Sequence, residues 1–132
     1  MRAIGSYAFE VVTSRSFEDA IATVTRLLAD EGFGVLTEID VQATLKHKLD
    51  VDTRRYKILG ACNPPFAYRA LAASPHIGVL MPCNVVVWDE GGQRVVAAME
   101  PEVMASLAGS PEIATLAREV SEKLHRVLGR LG

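Results

Sequence analysis

The sequence has little net charge and no long apolar run. Fourteen Lys and Arg face sixteen Asp and Glu, which gives a formal net charge of −2. Without a basic excess, we expect no nucleic-acid partner. No apolar run approaches the roughly 20 residues of a membrane span, and the N-terminal stretch lacks the apolar segment of a signal peptide. These absences predict a cytoplasmic protein that does not enter the membrane.

The best-marked catalytic motifs are also missing. The sequence contains no Gly-x-Gly-x-x-Gly, no phosphate-binding P-loop, no His-Glu-x-x-His and no Gly-x-Ser-x-Gly. Their absence removes the clearest nucleotide-binding, zinc-protease and hydrolase functions. The two cysteines do not form a Cys-x-x-Cys motif, so the signal for a metal site is weak. The sequence identifies no cofactor.

The length and composition predict one globular domain over residues 1–132. Apolar residues make up 49% and charged residues 23%, which is ordinary for a globular protein. A chain of this size buries roughly two-thirds of the surface that its unfolded form exposes, so it needs neither a disulfide nor a metal to form a core. In the cytoplasm, its two cysteines are more typical of thiols, ligands or redox partners than of a permanent cross-link.

Strand-like and helix-like apolar patterns follow one another along the chain. The order β-α-β-α-β-α-β-β-α predicts an α+β fold, with a largely antiparallel sheet of about five strands and helices packed mainly on one face. Strands are expected at 3–12, 33–39, 56–62, 79–88 and 94–99, and helices at 17–30, 41–49, 64–73 and 111–131.

Two of the predicted strands carry expectations about local geometry. Val35, Thr37 and Ile39 should share one face of their strand, because side chains alternate along it. Gly60, inside the strand at 56–62, suggests a bulge or a close approach by another group. Asn63-Pro64 then opens a helix, with Asn63 as its cap.

The stretch from Tyr56 to Trp88 concentrates the unusual residues. It holds both cysteines and the only tryptophan, and Cys-Asn occurs in it twice. Cys62 ends one strand just before a helix N-terminus, which would lower the pKa of its thiol, and Cys83 begins another strand. If those strands are neighbours, the pair suits a thiol nucleophile, a reversible disulfide or a soft-metal site. The alternative is two small buried hydrophobic residues.

Polar residues around the cysteines are further candidates. Asn84 lies inside an apolar strand, where a buried amide needs partners. His76 is the only histidine near the central stretch, although each of the three is more typical of the surface. Glu38 and Asp40 could do acid–base work or bind a cation, although Asp40 also suits a helix cap. The candidate site residues are Cys62, Cys83, Asn63, Asn84, Glu38 and His76, with Cys62 and Cys83 as the ligands of any metal.

Three separated segments together resemble the domain of unknown function 302 family. They are Phe33–Asp40, Tyr56–Pro64 and Gly78–Trp88, and the likeness extends from the first strand to about Pro101. The resemblance implies a compact α+β domain with a largely antiparallel sheet, similar to the TATA-binding-protein arrangement, and it implies homodimers. It implies no activity. The two cysteines depart from the pattern of many members, so they mark either a subfamily with its own chemistry or harmless apolar substitutions.

Two functions therefore remain open. The first is a non-enzymatic, homodimeric small-molecule-binding or sensing protein, with its pocket between sheet and helices near Cys62, Asn63 and Cys83. The second is a thiol-dependent redox or soft-metal site built on the two cysteines, with His76 or Glu38 as a third group. The lack of a complete catalytic set favours the first function, and the repeated Cys-Asn supports the second. The expected partners are a second copy of the chain and a small-molecule ligand.

Overall fold

The computed structural model describes all 132 residues and contains six strands and five α-helices. A short 3-10 helix, Pro75–Leu80, connects the third α-helix to the fifth strand. The strands are β1 (Arg2–Ile4), β2 (Ala8–Thr13), β3 (Gly34–Asp40), β4 (Tyr56–Cys62), β5 (Cys83–Glu90) and β6 (Gln93–Met99). The helices are α1 (Phe17–Asp30), α2 (Val41–Leu49), α3 (Pro64–Ala73), α4 (Glu102–Ala108) and α5 (Pro111–Leu131).

The strands form one antiparallel sheet in the order β1-β2-β6-β5-β4-β3. This confirms the predicted α+β class and the largely antiparallel sheet. The sheet has six strands rather than about five, because the strand expected at 3–12 is broken in two. Gly5 adopts a φ of +52°, which glycine tolerates without a Cβ clash, and the chain turns there so that Arg2 pairs with Glu10.

The long helices α1 and α5 begin at serine caps. Ser16 accepts a hydrogen bond from the Asp19 N–H at 3.1 Å, and Ser110 accepts one from the Ile113 N–H at 3.4 Å. A serine oxygen in this position satisfies an N–H that the helix itself leaves unpaired. None of the five helices is long and apolar enough to span a membrane. The buried stripe of α5 has helical spacing and includes Ile113, Leu116, Val120, Leu124, Val127 and Leu131.

The main core lies between one face of the sheet and the helices α1 and α5. We call this side the covered face; from the strands it buries Phe9, Val11, Leu59, Val85, Val87 and Val96. We call the other side the open face; it carries Val12, Ile39, Ile58, Val86 and Trp88. Of the helices, α2 alone lies beside the open face, and it buries none of its own residues.

The edge strand β3 contains a bulge that the sequence pattern did not predict. The pairing with β4 skips Leu36, so that Val35 and Thr37 pair with successive residues of β4. Successive residues point to opposite sides of a sheet, so Val35 and Thr37 lie on opposite faces. The expectation that Val35, Thr37 and Ile39 share one face is therefore wrong.

Gly60 lies opposite this bulge, and the close approach expected there is confirmed. A Cβ at Gly60 would lie 2.2 Å from Thr37 Oγ1 and 2.9 Å from Pro82 Cγ. No side chain fits at these distances unless its neighbours move. Because Gly60 has no side chain, Thr37 and Pro82 can pack directly against the backbone of β4.

Candidate functional site

An apolar cavity of about 50 Å³ lies between the end of β4, the start of β5 and the helices α3, α4 and α5. Fourteen of its sixteen lining residues are hydrophobic, and none is charged. Its position, between sheet and helices, is the one expected for a pocket near Cys62, Asn63 and Cys83, and all three residues line it. The cavity is the feature that brings half of the six candidate residues together.

The two cysteines come from neighbouring strands but are not paired in the sheet register. Cys83 pairs with Ala61, whereas Cys62 comes one residue later and pairs with Gly34 on β3. Because successive strand residues point to opposite faces, this offset opposes a direct cross-strand disulfide. Both thiols are free in the structure.

The surroundings of Cys83 disfavour its thiolate. Burial raises the pKa of this thiol to about 11, and the negative charge of a Cys62 thiolate nearby adds to the rise. The thiolate is the nucleophilic form of cysteine, so Cys83 carries its proton at neutral pH and does not resemble an activated nucleophile.

Asn63 occupies the cap position of α3 without capping it. Its Nδ2 donates to the carbonyl oxygen of Glu31 at 3.2 Å, and its side chain makes no hydrogen bond to α3. One N–H that a cap ordinarily binds is absent, because Pro65 occupies the second helical position. The predicted cap is therefore wrong. Asn63 is buried, and it ties the start of α3 to the end of α1 beside the cavity.

Asn84, Glu38 and His76 lie outside the cavity. Asn84 is exposed on the open face, so the expectation of a buried amide is wrong. Glu38 forms an ion pair with Lys57 at 2.6 Å between Oε1 and Nζ, and Asp40 caps α2. His76 is exposed on the 3-10 helix. No three His, Cys, Asp or Glu side chains gather anywhere in a group that could hold a metal ion.

His125 is more enclosed than a simple surface residue. Its ring stacks on Phe9, with centroids 3.8 Å apart, and its Nε2 lies 2.8 Å from Glu100 Oε1. The hydroxyl of Ser121 donates to the other Glu100 oxygen at 2.7 Å. Partial burial opposes ionisation of Glu100, but the hydrogen bonds from His125 and Ser121 outweigh burial and lower its pKa. The cluster fixes α5 to the segment before α4, whose Met104 lines the cavity.

Sequence reasoning missed the two methionines of the cavity, Met81 and Met104. Met81 stands two residues before Cys83, so a count of sulfur atoms around the cysteines could have found it. Met104 lies in α4, far along the chain, and only the packing of α4 on α5 brings it to the cavity. No pattern in the sequence links it to the cysteines.

Comparison with known proteins gives a family and a fold. Residues 9–131 match the family model described as "Domain of unknown function DUF302". The crystal structure of the uncharacterized conserved protein DUF302 from Bacillus stearothermophilus is similar, with a TM-score of 0.88 and 28% sequence identity. The similarity covers 95% of this chain and 98% of that chain. No curated protein matches the sequence.

Proposed function

The chain belongs to the DUF302 family, and we propose that it is a homodimeric small-molecule-binding or sensing protein without catalytic activity. The observation that carries the proposal is the apolar cavity beside Cys62, Asn63 and Cys83. Binding pockets are mostly apolar clefts with a few polar groups that set orientation. The proposal includes a single binding domain over residues 1–132, a cytoplasmic location and no nucleic-acid partner.

The lining of the cavity favours a small neutral ligand. No charged side chain reaches the cavity, and Asn63 is the one amide in its lining. An ionised group buried here would have no partner, and its transfer from water would cost several kcal/mol or more. A volume of about 50 Å³ accommodates a small molecule or the apolar end of a longer one.

A series of straight-chain alcohols tests this proposal. Their affinity for the purified chain, measured by calorimetry or thermal shift, should rise about fourfold per added methylene, because each buried CH₂ contributes about 0.8 kcal/mol. The rise should stop once the cavity is full. A carboxylate or an ammonium ion of the same chain length should bind more weakly than the alcohol, because its charge must stay outside.

Two leucine substitutions on α3 provide the matched comparison. Ala67 lines the cavity and Ala72 does not, although both lie on the same helix. Ala67→Leu should fill the cavity and remove alcohol binding, whereas Ala72→Leu should leave it unchanged. If the alcohols bind equally to both variants, or bind without any dependence on chain length, the cavity is not the binding site.

The open face supports the homodimer part of the proposal. Val12 and Ile39 are each 48% exposed, and Ile58, Val86 and Trp88 are half-buried. Apolar side chains exposed together on one sheet face are typical of an interaction surface. A second copy of the chain, placed open face to open face, would cover them by the sheet-on-sheet packing that β-sandwiches use.

Analytical ultracentrifugation tests the dimer. The wild-type chain should sediment as a dimer, and Ile39→Lys should convert it to a monomer by placing a charge in the interface. Val79→Lys is the control, because Val79 is 85% exposed and lies on the 3-10 helix away from the open face. A monomeric wild type, or a dimer that survives Ile39→Lys, would contradict this surface.

A thiol-dependent site at Cys62 and Cys83 is the second candidate, because both residues line the same cavity. The raised pKa of Cys83 and the one-residue offset between the cysteines argue against nucleophilic and disulfide chemistry. Because a cysteine binds a metal as its thiolate, the raised pKa of Cys83 weakens the soft-metal form as well.

A further inference from the structure

We infer that the ligand of the cavity is a neutral hydrogen-bond donor, such as an alcohol, and that Asn63 selects it by accepting its hydrogen bond through Oδ1. This inference rests on the proposed function, because it concerns the same cavity. It adds the chemical class of the ligand, and it makes Asn63 the residue that determines specificity.

Asn63 is the polar exception in the lining of the cavity. Fourteen of the sixteen lining residues are hydrophobic, and Asn63 carries the only amide among them. Its side chain is almost enclosed, because the residue is only 8% exposed. The two cysteine thiols of the lining are weak hydrogen-bonding groups. A polar group of a ligand in this cavity therefore has one strong side-chain partner.

The hydrogen bond to Glu31 fixes which end of the Asn63 amide is free. Nδ2 of Asn63 donates to the backbone carbonyl oxygen of Glu31 at 3.2 Å. A carbonyl oxygen only accepts hydrogen bonds, so the nitrogen of the amide, and not its oxygen, must face Glu31. Gly32 lies against the same nitrogen, since a Cβ added there would be 3.2 Å from Nδ2. The end of α1 thus holds the nitrogen, and Oδ1 lies on the other branch of the amide.

Oδ1 of Asn63 has no partner within the chain. The side chain makes no hydrogen bond to α3, and its single hydrogen bond uses Nδ2. Oδ1 still has accessible surface, because it is not among the fully enclosed side-chain atoms that lack a hydrogen bond. A buried acceptor without a partner carries a cost in free energy that a donor on the ligand removes. The amide is therefore set to accept a hydrogen bond from a ligand.

This arrangement discriminates between ligands of equal size. An alcohol supplies the O–H that Oδ1 needs, whereas an ether has only lone pairs and would place its oxygen against another acceptor. A site that hydrogen-bonds the hydroxyl of its ligand rejects an analogue that lacks it, because the polar group of the site is then left unpaired. A charged donor is excluded as well, because no charged side chain lines the cavity.

The test compares two isomers, 1-butanol and methyl propyl ether, by calorimetry on the full chain. The wild type should bind the alcohol about fivefold more tightly, as expected for one net hydrogen bond. Asn63→Leu should reverse the preference, because a buried hydroxyl without a partner costs more than a buried ether oxygen. Asn84→Leu is the matched control: Asn84 belongs to the other Cys-Asn pair but is exposed on the open face, so the preference should stay.

A measurement on the wild type is needed because Asn63→Leu also removes the hydrogen bond to Glu31 and can unfold the chain. Thermal melts show whether the variant is folded. In the wild type, the ¹³C resonance of the Asn63 side-chain carbonyl should move when 1-butanol binds, because its oxygen gains a hydrogen bond. The ether should leave this resonance in place at concentrations that fill the cavity equally.

The outcomes distinguish this inference from the proposed function. If both isomers bind equally well and affinity still rises with chain length, the cavity is a binding site but Asn63 does not select the ligand, and only this inference is overturned. The same holds if a folded Asn63→Leu keeps the preference for the alcohol, or if the Asn63 carbonyl resonance does not respond to it. If neither isomer nor any longer alcohol binds, the proposed function fails as well.

Discussion

Both faces of the sheet carry apolar side chains, but the two faces differ in how far these side chains are buried. On the covered face, Leu59 and Val85 are at most 1% exposed, because α1 and α5 pack against them. On the open face, Val12 and Ile39 are each 48% exposed, and only α2 lies nearby. Along β4 and β5 the two environments alternate residue by residue.

This difference in packing assigns different roles to the two faces of the sheet. The covered face holds the fold together, and the cavity forms at its edge, where β4 and β5 meet α3, α4 and the first half of α5. The open face is packed less completely within one chain, although Val95 and Ala97 on it are buried. We therefore expect substitutions on the covered face to change the free energy of unfolding, and substitutions on the open face to change association.

The largest expected effect comes from truncating a core side chain. Leu59→Ala should lower the free energy of unfolding by about 2–5 kcal/mol, because it removes buried methyl groups and leaves a cavity. Ile39→Ala, on the open face, should cost less than about 1 kcal/mol in the monomer. Urea denaturation of both variants in a monomeric background checks this. Equal losses would mean that the open face is packed within one chain.

The next effect concerns the contact between β3 and β4. Gly60→Ala should destabilise the chain by about 1–3 kcal/mol, because the new methyl group overlaps Thr37 Oγ1. Thr37→Ala should recover part of that loss in the double variant, since it removes the nearest atom. Thermal denaturation of the two single variants and the double variant measures the coupling. Fully additive losses would show that Thr37 is not the obstacle.

A smaller effect depends on pH. Glu100→Gln should lower the free energy of unfolding by about 1–2 kcal/mol at neutral pH, because it weakens the charged hydrogen bonds with His125 and Ser121. The pKa of Glu100 is lower in the folded chain, so its contribution is present above the ordinary carboxyl pKa and is lost as the pH falls through the folded value. The gap between wild type and variant should therefore shrink towards acid pH. A gap that stays constant would show that the carboxylate charge is not the cause.

The smallest effect is expected at the exposed ion pair between Arg126 and Glu31. Arg126 donates to both carboxylate oxygens of Glu31, at 3.1 and 3.0 Å, and it lies at the surface. Exposed pairs contribute little to the free energy of unfolding, because water and salt screen them. Arg126→Ala should therefore shift the urea midpoint only slightly, and less at high salt. A loss as large as that of Glu100→Gln would contradict this ranking.

Much of the fold followed from apolar spacing and capping residues. The helix at 111–131 was predicted from its stripe and from Ser110-Pro111, and the structure confirms both bounds. The extra strand was missed because the apolar residues between Ile4 and Val12 were assigned to one strand, whereas the backbone of Gly5 turns the chain between two. The bulge at Leu36 was missed because it depends on how β3 pairs with β4, which one strand's pattern does not contain.

The site was predicted less completely than the fold. The sequence placed Cys62, Asn63 and Cys83 near one pocket. Cys62 ends one predicted strand, Asn63 begins the helix that follows, and Cys83 begins the next strand. Asn84 was misplaced because an apolar strand was taken to be buried on both faces, whereas one face of this sheet is open. Met104 reaches the cavity only through the packing of α4 on α5, which no local pattern encodes.

Methyl NMR of the chain during a titration with 1-butanol locates the binding site. If the cavity binds the alcohol, shift changes are confined to methyl groups lining it, such as those of Ala61, Ala67 and Ala117, and they disappear in Ala67→Leu. Changes centred instead on Val86 and Ala97 would place the binding surface on the open face and contradict binding in the cavity.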